Sequence, residues 1–222
     1  VEFMLQIYDI EGYLRNMSTM KHHKTIGLAV RHVNLGEVDS AAVVEIVSNH
    51  YPKRDINHLS TGKIAELYAV VQCVSDLLRE DNWHLQHAQS GAPLLFENGK
   101  KSVLSISISH TTDKIEEGGV AYAAVILSRE AEKIGVDIVL KADLRIKRIA
   151  QRVMRDEEIA TGRLAEVWAC KEAMYKALGP LLDFKKDLKV DFDSENEDLV
   201  VGSGYKWKIY REDKIVVALG PF

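Results

Sequence analysis

Apolar and polar positions alternate strictly along residues 104–110. Leu104, Ile106, Ile108 and His110 share one face, and Ser105, Ser107 and Ser109 share the other, which predicts a β-strand. Two more strand patterns, VAYAAVIL (120–127) and KIGVDIVL (133–140), flank the charged run SREAE, which predicts an antiparallel pair. Upstream, KTIGLAVRHV (24–33) looks like a strand and SAAVVEIVSNHY (40–51) like a helix. Ile64, Leu67, Tyr68, Val71, Val74 and Leu78 fall on one helical face, with Ser60 or Thr61 as N-cap. GAPLLFENGKK (91–101) reads as a turn-rich loop.

The second half is clearer. Ile146, Ile149, Ala150, Val153 and Met154 keep helical spacing behind Asp143, a predicted N-cap. Another helix spans 164–178 and stops at Gly179-Pro180. Short strands LKVDF, YKWKIYR and KIVVALG close the chain. The order of elements predicts an α+β protein of two lobes, residues 1–128 and 129–222.

Composition narrows the class. With 222 residues, 46% of them hydrophobic, the chain can bury a full core. A net charge of −4 argues against a dedicated nucleic-acid binder. Cys73 and Cys170 lack any CxxC spacing and read as reduced thiols in helices, which predicts a cytoplasmic protein. No apolar run approaches a membrane span and no signal-peptide segment is read at the start, so no membrane partner is expected.

Three positions carry candidate chemistry. In GVDIVL (135–140), Val136, Ile138 and Leu140 alternate as a half-buried strand while Asp137 projects from the opposite face beside Val139. A buried carboxylate without a partner costs several kcal/mol or protonates, so Asp137 needs one, such as a turn cap or a buried pair. His110 ends its strand where the chain enters the polar run TTDKIEEGG, a place where most histidines are core or rim residues. Helix 164–178 has a core stripe of Val167, Cys170, Met174 and Leu178 and, on another side, Trp168, Lys171, Glu172, Tyr175 and Lys176. Glu172 and Lys176, four apart, could be a surface ion pair of about 0.3–0.5 kcal/mol.

Together the blocks ISISHT (106–111), GVDIV (135–139) and WACKEAMYK (168–176) resemble, in order, three signatures of the 4'-phosphopantetheinyl transferases. Those read roughly (I/V)SHS, G(V/I)D(I/V)E and WxxKEAxxK. The resemblance spans about residues 60–180, and the third block is the most specific. The length is similar to that of the larger, pseudo-dimeric type. It implies two similar lobes with antiparallel sheets, a cleft between them for coenzyme A, and transfer of 4'-phosphopantetheine to a serine of an apo acyl or peptidyl carrier protein. One such chain would form a whole site, hence a monomer.

The same resemblance implies roles for residues. Asp137 and Glu172 would hold Mg²⁺. Glu158, with Glu157 as competitor, would be the general base, and Lys171 and Lys176 would meet phosphate charge. His110, Ser109 and Thr111 would contact the nucleotide end of coenzyme A. Weaker candidates for its 3'-phosphate are Lys53, Arg54 and Lys63. Two departures stand out: Val139 replaces a glutamate of many larger members, and Gly91-Ala92-Pro93 lacks the lysine of their Gly-Lys-Pro. The rival reading is a non-catalytic carrier-binding module that kept the fold.

Charge points to a partner surface. From Lys141 to Arg155 the chain has six basic residues and one acid, Asp143, and Arg145, Arg148, Arg152 and Arg155 form one helical stripe. Such a stripe is commonly a solvated face, but solvated faces normally mix signs. Carrier proteins of this family's substrates are typically acidic, so Arg145, Arg148 and Arg152 are expected to dock one.

Overall fold

The computed structural model describes residues 6–9, 26–38, 41–114, 118–129 and 133–222. The chain divides into two compact units, residues 1–132 and 133–222, and both are α+β with antiparallel sheets.

In the N-terminal unit, β1 (Gln6–Asp9), β2 (Ile26–Asn34), β6 (Ser105–Asp113) and β7 (Val120–Ser128) form a sheet in the order β1-β2-β7-β6. Helix α1 (Ala41–His50) leads to α2 (Thr61–Leu78), whose Leu67, Val71 and Val74 join Ala29, Val33 and Val125 in one core. The N-cap of α2 is Ser60, whose side chain accepts a hydrogen bond from Lys63 N. A small sheet, β3 (Trp83–His87), β4 (Pro93–Glu97) and β5 (Lys100–Lys101), completes the unit.

The C-terminal unit has a sheet in the order β8 (Gly135–Leu140), β12 (Ile215–Gly220), β11 (Tyr205–Arg211), β10 (Leu199–Gly202) and β9 (Asp191–Phe192). Its helices are α3 (Leu144–Val153), α4 (Asp156–Ala160) and α5 (Leu164–Leu178). The core joins Val167, Cys170 and Met174 of α5 to Trp207, Ile209, Ile146 and Ala150, and Asp143 caps α3 as expected.

Four expectations are corrected. Strands β7 and β8 are not partners: β7 pairs with β2 on one edge and β6 on the other, so neither edge is open, and β8 pairs with β12. Residues 91–101 are not a loop but a hairpin, turning at Asn98 (φ 50°) and Gly99 (φ 75°); two positive φ values in a two-residue Asn-Gly turn match the twist of flanking strands. The strand at His110 does not end there but runs through Asp113, carried on by the β-branched pair Thr111-Thr112. Residues 135–139 of β8 are all buried rather than half-buried.

Candidate functional site

Helix α5 presents four stripes, because successive residues turn by about 100°. Val167, Cys170 and Met174 enter the core. Ala169, Ala173 and Ala177 are small and buried, on the stripe that approaches β8. There Gly135 has no room for a side chain, since a Cβ would lie 1.9 Å from Ala173 O. The glycine and the alanines thus allow helix and strand to come close. Next to the alanine stripe stand Glu172 and Lys176, and beyond these Trp168, Lys171 and Tyr175.

That close approach supplies the partner Asp137 requires. Asp137 is 6% exposed, and Lys176 Nζ donates to its Oδ1 at 2.6 Å and to Val136 O at 2.9 Å. Glu172 borders the same carboxylate. Burial first, and then the charge of Asp137, push the Glu172 carboxyl up to about 7, against the opposing pull of Lys176. Two carboxylates and the Lys176 ammonium therefore meet at one place between β8 and α5. Val139, on the same face of β8, packs into the core, and no group of three or more His, Cys, Asp or Glu able to hold a metal ion exists among the described residues. Carboxylate oxygens such as those of Asp137 and Glu172 are the donor type that a hard divalent cation like Mg²⁺ takes, one or two at a time, with water and phosphate filling the rest of its shell.

Glu158 and Lys171 are placed elsewhere than at exposed chemistry. Lys171 is 0% and Glu158 1% exposed, with Nζ 2.9 Å from Glu158 Oε2. Lys171 Nζ also donates to Phe184 O at 2.6 Å and to Leu188 O. Glu158 accepts from Arg155 N at 2.7 Å, Arg155 Nε at 3.1 Å and Val190 N at 2.9 Å. A general base needs a lone pair within reach of the proton it takes, and here both oxygens serve the fold. Glu157, its competitor, is exposed.

In the N-terminal unit a second cluster forms around a residue that the sequence did not single out. Glu66 accepts from Thr112 Oγ1 at 2.6 Å and Lys63 Nζ at 2.9 Å, and lies 3.0 Å from His110 Nδ1. Burial favours its neutral form, but the bonds from His110, Thr112 and Lys63 outweigh this and hold its carboxyl at about 2. His110 Nε2 is 3.3 Å from Lys63 Nζ. Desolvation, followed by coulombic effects of Arg54, His110 and Lys63, lowers the pKa of His87. Lys53 is turned to Gln86 Oε1 at 2.8 Å. Strand alternation puts Thr112 on the face of His110, while Ser109 and Thr111 occupy the other face. Glu66 was legible only as the residue one turn after Lys63.

The basic stripe is reduced by pairing. Arg145 folds onto Asp143, Nη2 to Oδ2 at 2.7 Å, and Arg155 engages Glu158 and Asp191. Arg148 and Arg152 are exposed on α3, with no ion pair recorded for either among the described residues.

Among the described residues, no helix is long and apolar enough to cross a membrane. No curated protein matches the chain. Residues 133–219 match the model of the 4'-phosphopantetheinyl transferase superfamily, a range that falls within the C-terminal unit and includes β8 and α5. The carboxylate pair of β8 and α5 therefore lies inside the segment that is similar to the 4'-phosphopantetheinyl transferase superfamily.

Proposed function

We propose that the protein transfers 4'-phosphopantetheine from coenzyme A to a serine of an apo acyl or peptidyl carrier protein, with Mg²⁺, releasing 3',5'-ADP. The observation that carries this reading is the Asp137–Glu172 pair facing Lys176 within the matched segment. Transfer joins the serine oxygen to the β-phosphorus and breaks the bond from that phosphorus to the departing 3',5'-ADP oxygen, with the serine proton released to solvent. Asp137 and Glu172 would hold the cation, whose contribution is to offset charge on the phosphoryl and leaving oxygens. Lys176, now on Asp137, is 29% exposed along its side chain and would share its ammonium with the diphosphate.

An antiparallel sheet with one long helix occurs in each unit, which supports the pseudo-dimeric type working as a monomer. Cys73 and Cys170 are free and buried, as suits a cytoplasmic setting.

The carrier would dock on α3 through Arg148 and Arg152, with Arg145 contributing less because Asp143 offsets it. Complementary charge chiefly raises association rate and is screened by salt. In initial-rate assays over a panel of apo carriers, reversing Arg148 and Arg152 to Glu should raise carrier KM by about tenfold, equivalent to ~1.4 kcal/mol, with binding of coenzyme A unchanged. If KM stays constant for every carrier at low ionic strength, the stripe is a solvated face.

A further inference from the structure

Trp168, Lys171 and Tyr175 make one stripe of α5, and the connection from α5 to β9 is fastened to it. Phe184 packs on two of these residues, stacked on Trp168 with ring centroids 5.5 Å apart and tilted against Tyr175 at 5.1 Å. Its carbonyl, with that of Leu188, accepts from Lys171 Nζ. The third donor of the ammonium goes to Glu158, whose other oxygen holds Val190 N. An ammonium has three N–H donors, and here each has a partner within the fold, two of them buried. At 0% exposure, Lys171 has no donor left for a ligand. An irregular segment with buried carbonyls needs such donors, and lysine supplies three from one atom.

The geometry bears on Glu172. On the helical wheel Glu172 and Lys176 lie between the Trp168/Lys171/Tyr175 stripe and the alanine stripe set against β8. Packing against β8 fixes α5 on one side, and the Lys171 clamp fixes it on the other. We propose that Lys171 is a positioning residue: with Glu158 it clamps the 183–190 connection onto α5 and so sets the rotation of the helix that carries Glu172 to Asp137. This rests on the reading of Asp137 and Glu172 as the metal pair. A displacement of about 1 Å at a reacting centre can cost about 10²-fold in rate, and loss of a residue that orients a ligand typically costs 10–100-fold in metal affinity, as an order of magnitude.

Three measurements on Lys171→Met, with Glu158→Gln as a milder variant, test the clamp. Trypsin should cut Lys171→Met at the exposed Lys186 and Lys189 at least tenfold faster than wild type, well below its melting temperature. Binding of Mn²⁺, used as the probe, should weaken about tenfold. Turnover should fall about 10²-fold with KM for coenzyme A within twofold of wild type, and Lys171→Met/Glu158→Gln should recover part of both losses, since the buried carboxylate is no longer left charged. A rise in coenzyme A KM, with no recovery in the double variant, would mean that Lys171 touches phosphate and would overturn the proposal. Unchanged trypsin cutting would overturn it too. Should wild type bind no Mn²⁺ and transfer nothing, the metal reading fails by itself, and the trypsin comparison still decides the clamp.

Discussion

Glu172→Gln is expected to lower transfer by about 10³-fold, since a bound cation supplies several kcal/mol of charge stabilisation and each 1.4 kcal/mol is a factor of ten. Yet the metal-free fold should gain stability. In wild type the Glu172 carboxyl is raised from 4.5 to about 7, so the folded state holds its proton where the unfolded state has released it. Stability therefore declines as pH rises from about 4.5 to about 7, and the penalty is complete above that window. Glutamine has no such titration. With metal chelated, the variant should melt above wild type at pH 8, and the difference should shrink towards zero as pH is lowered to 5. Asp137 keeps Lys176 in this variant, so the loss of transfer would not be one of folding. A variant with near wild-type rate would remove Glu172 from the chemistry.

Much of this was readable in the sequence, and the misses have physical causes. Helices α3 and α5 carry their apolar spacing and end signals openly, so their limits and core faces follow from pattern alone. Asp137 was recognisable because a carboxylate in an apolar strand demands a partner. Which partner it took depended on how close α5 comes to β8, a matter decided by Gly135 and three alanines that carry no chemistry of their own. Strand pairing was not readable, because period two gives the faces of β7 and β8 but not their neighbours. The motif WACKEAMYK marks five polar or aromatic positions, yet spacing alone could not tell that Lys171 turns inward to Phe184 and Leu188 while Lys176 reaches Asp137. Glu66 was passed over because its partners lie 44 and 46 residues away, at His110 and Thr112.

The second large effect concerns Gly135. Its φ is not in the left-handed region, so the requirement is for space rather than for backbone freedom. An alanine Cβ there would meet Ala173 O at 1.9 Å, Ala173 C at 2.8 Å and Ala177 N at 3.1 Å. These are backbone atoms of α5, which cannot turn aside as a side chain would. Gly135→Ala should cost about 3 kcal/mol or more, at or beyond the upper end for overpacking, and push α5 away from β8, taking Glu172 and Lys176 from Asp137. Gly36→Ala is the control, since nothing lies within 4 Å of its would-be Cβ, and it should stay within about 0.5 kcal/mol of wild type. Denaturant midpoints at constant slope would report both. Equal midpoints for the two variants would contradict the close packing of α5 on β8.

The central claim is chemical, and intact-mass spectrometry of the carrier tests it most directly. Apo carrier proteins incubated with the protein, coenzyme A and Mg²⁺ should each be assayed before and after replacement of the acceptor serine by alanine. The account predicts that at least one carrier gains the mass of one 4'-phosphopantetheine, with 3',5'-ADP appearing in equal amount. It predicts no gain with the alanine carrier, with chelator, or with Asp137→Ala. Carriers that bind the folded protein yet gain no mass at saturating coenzyme A and Mg²⁺ would contradict it and identify a carrier-binding module instead.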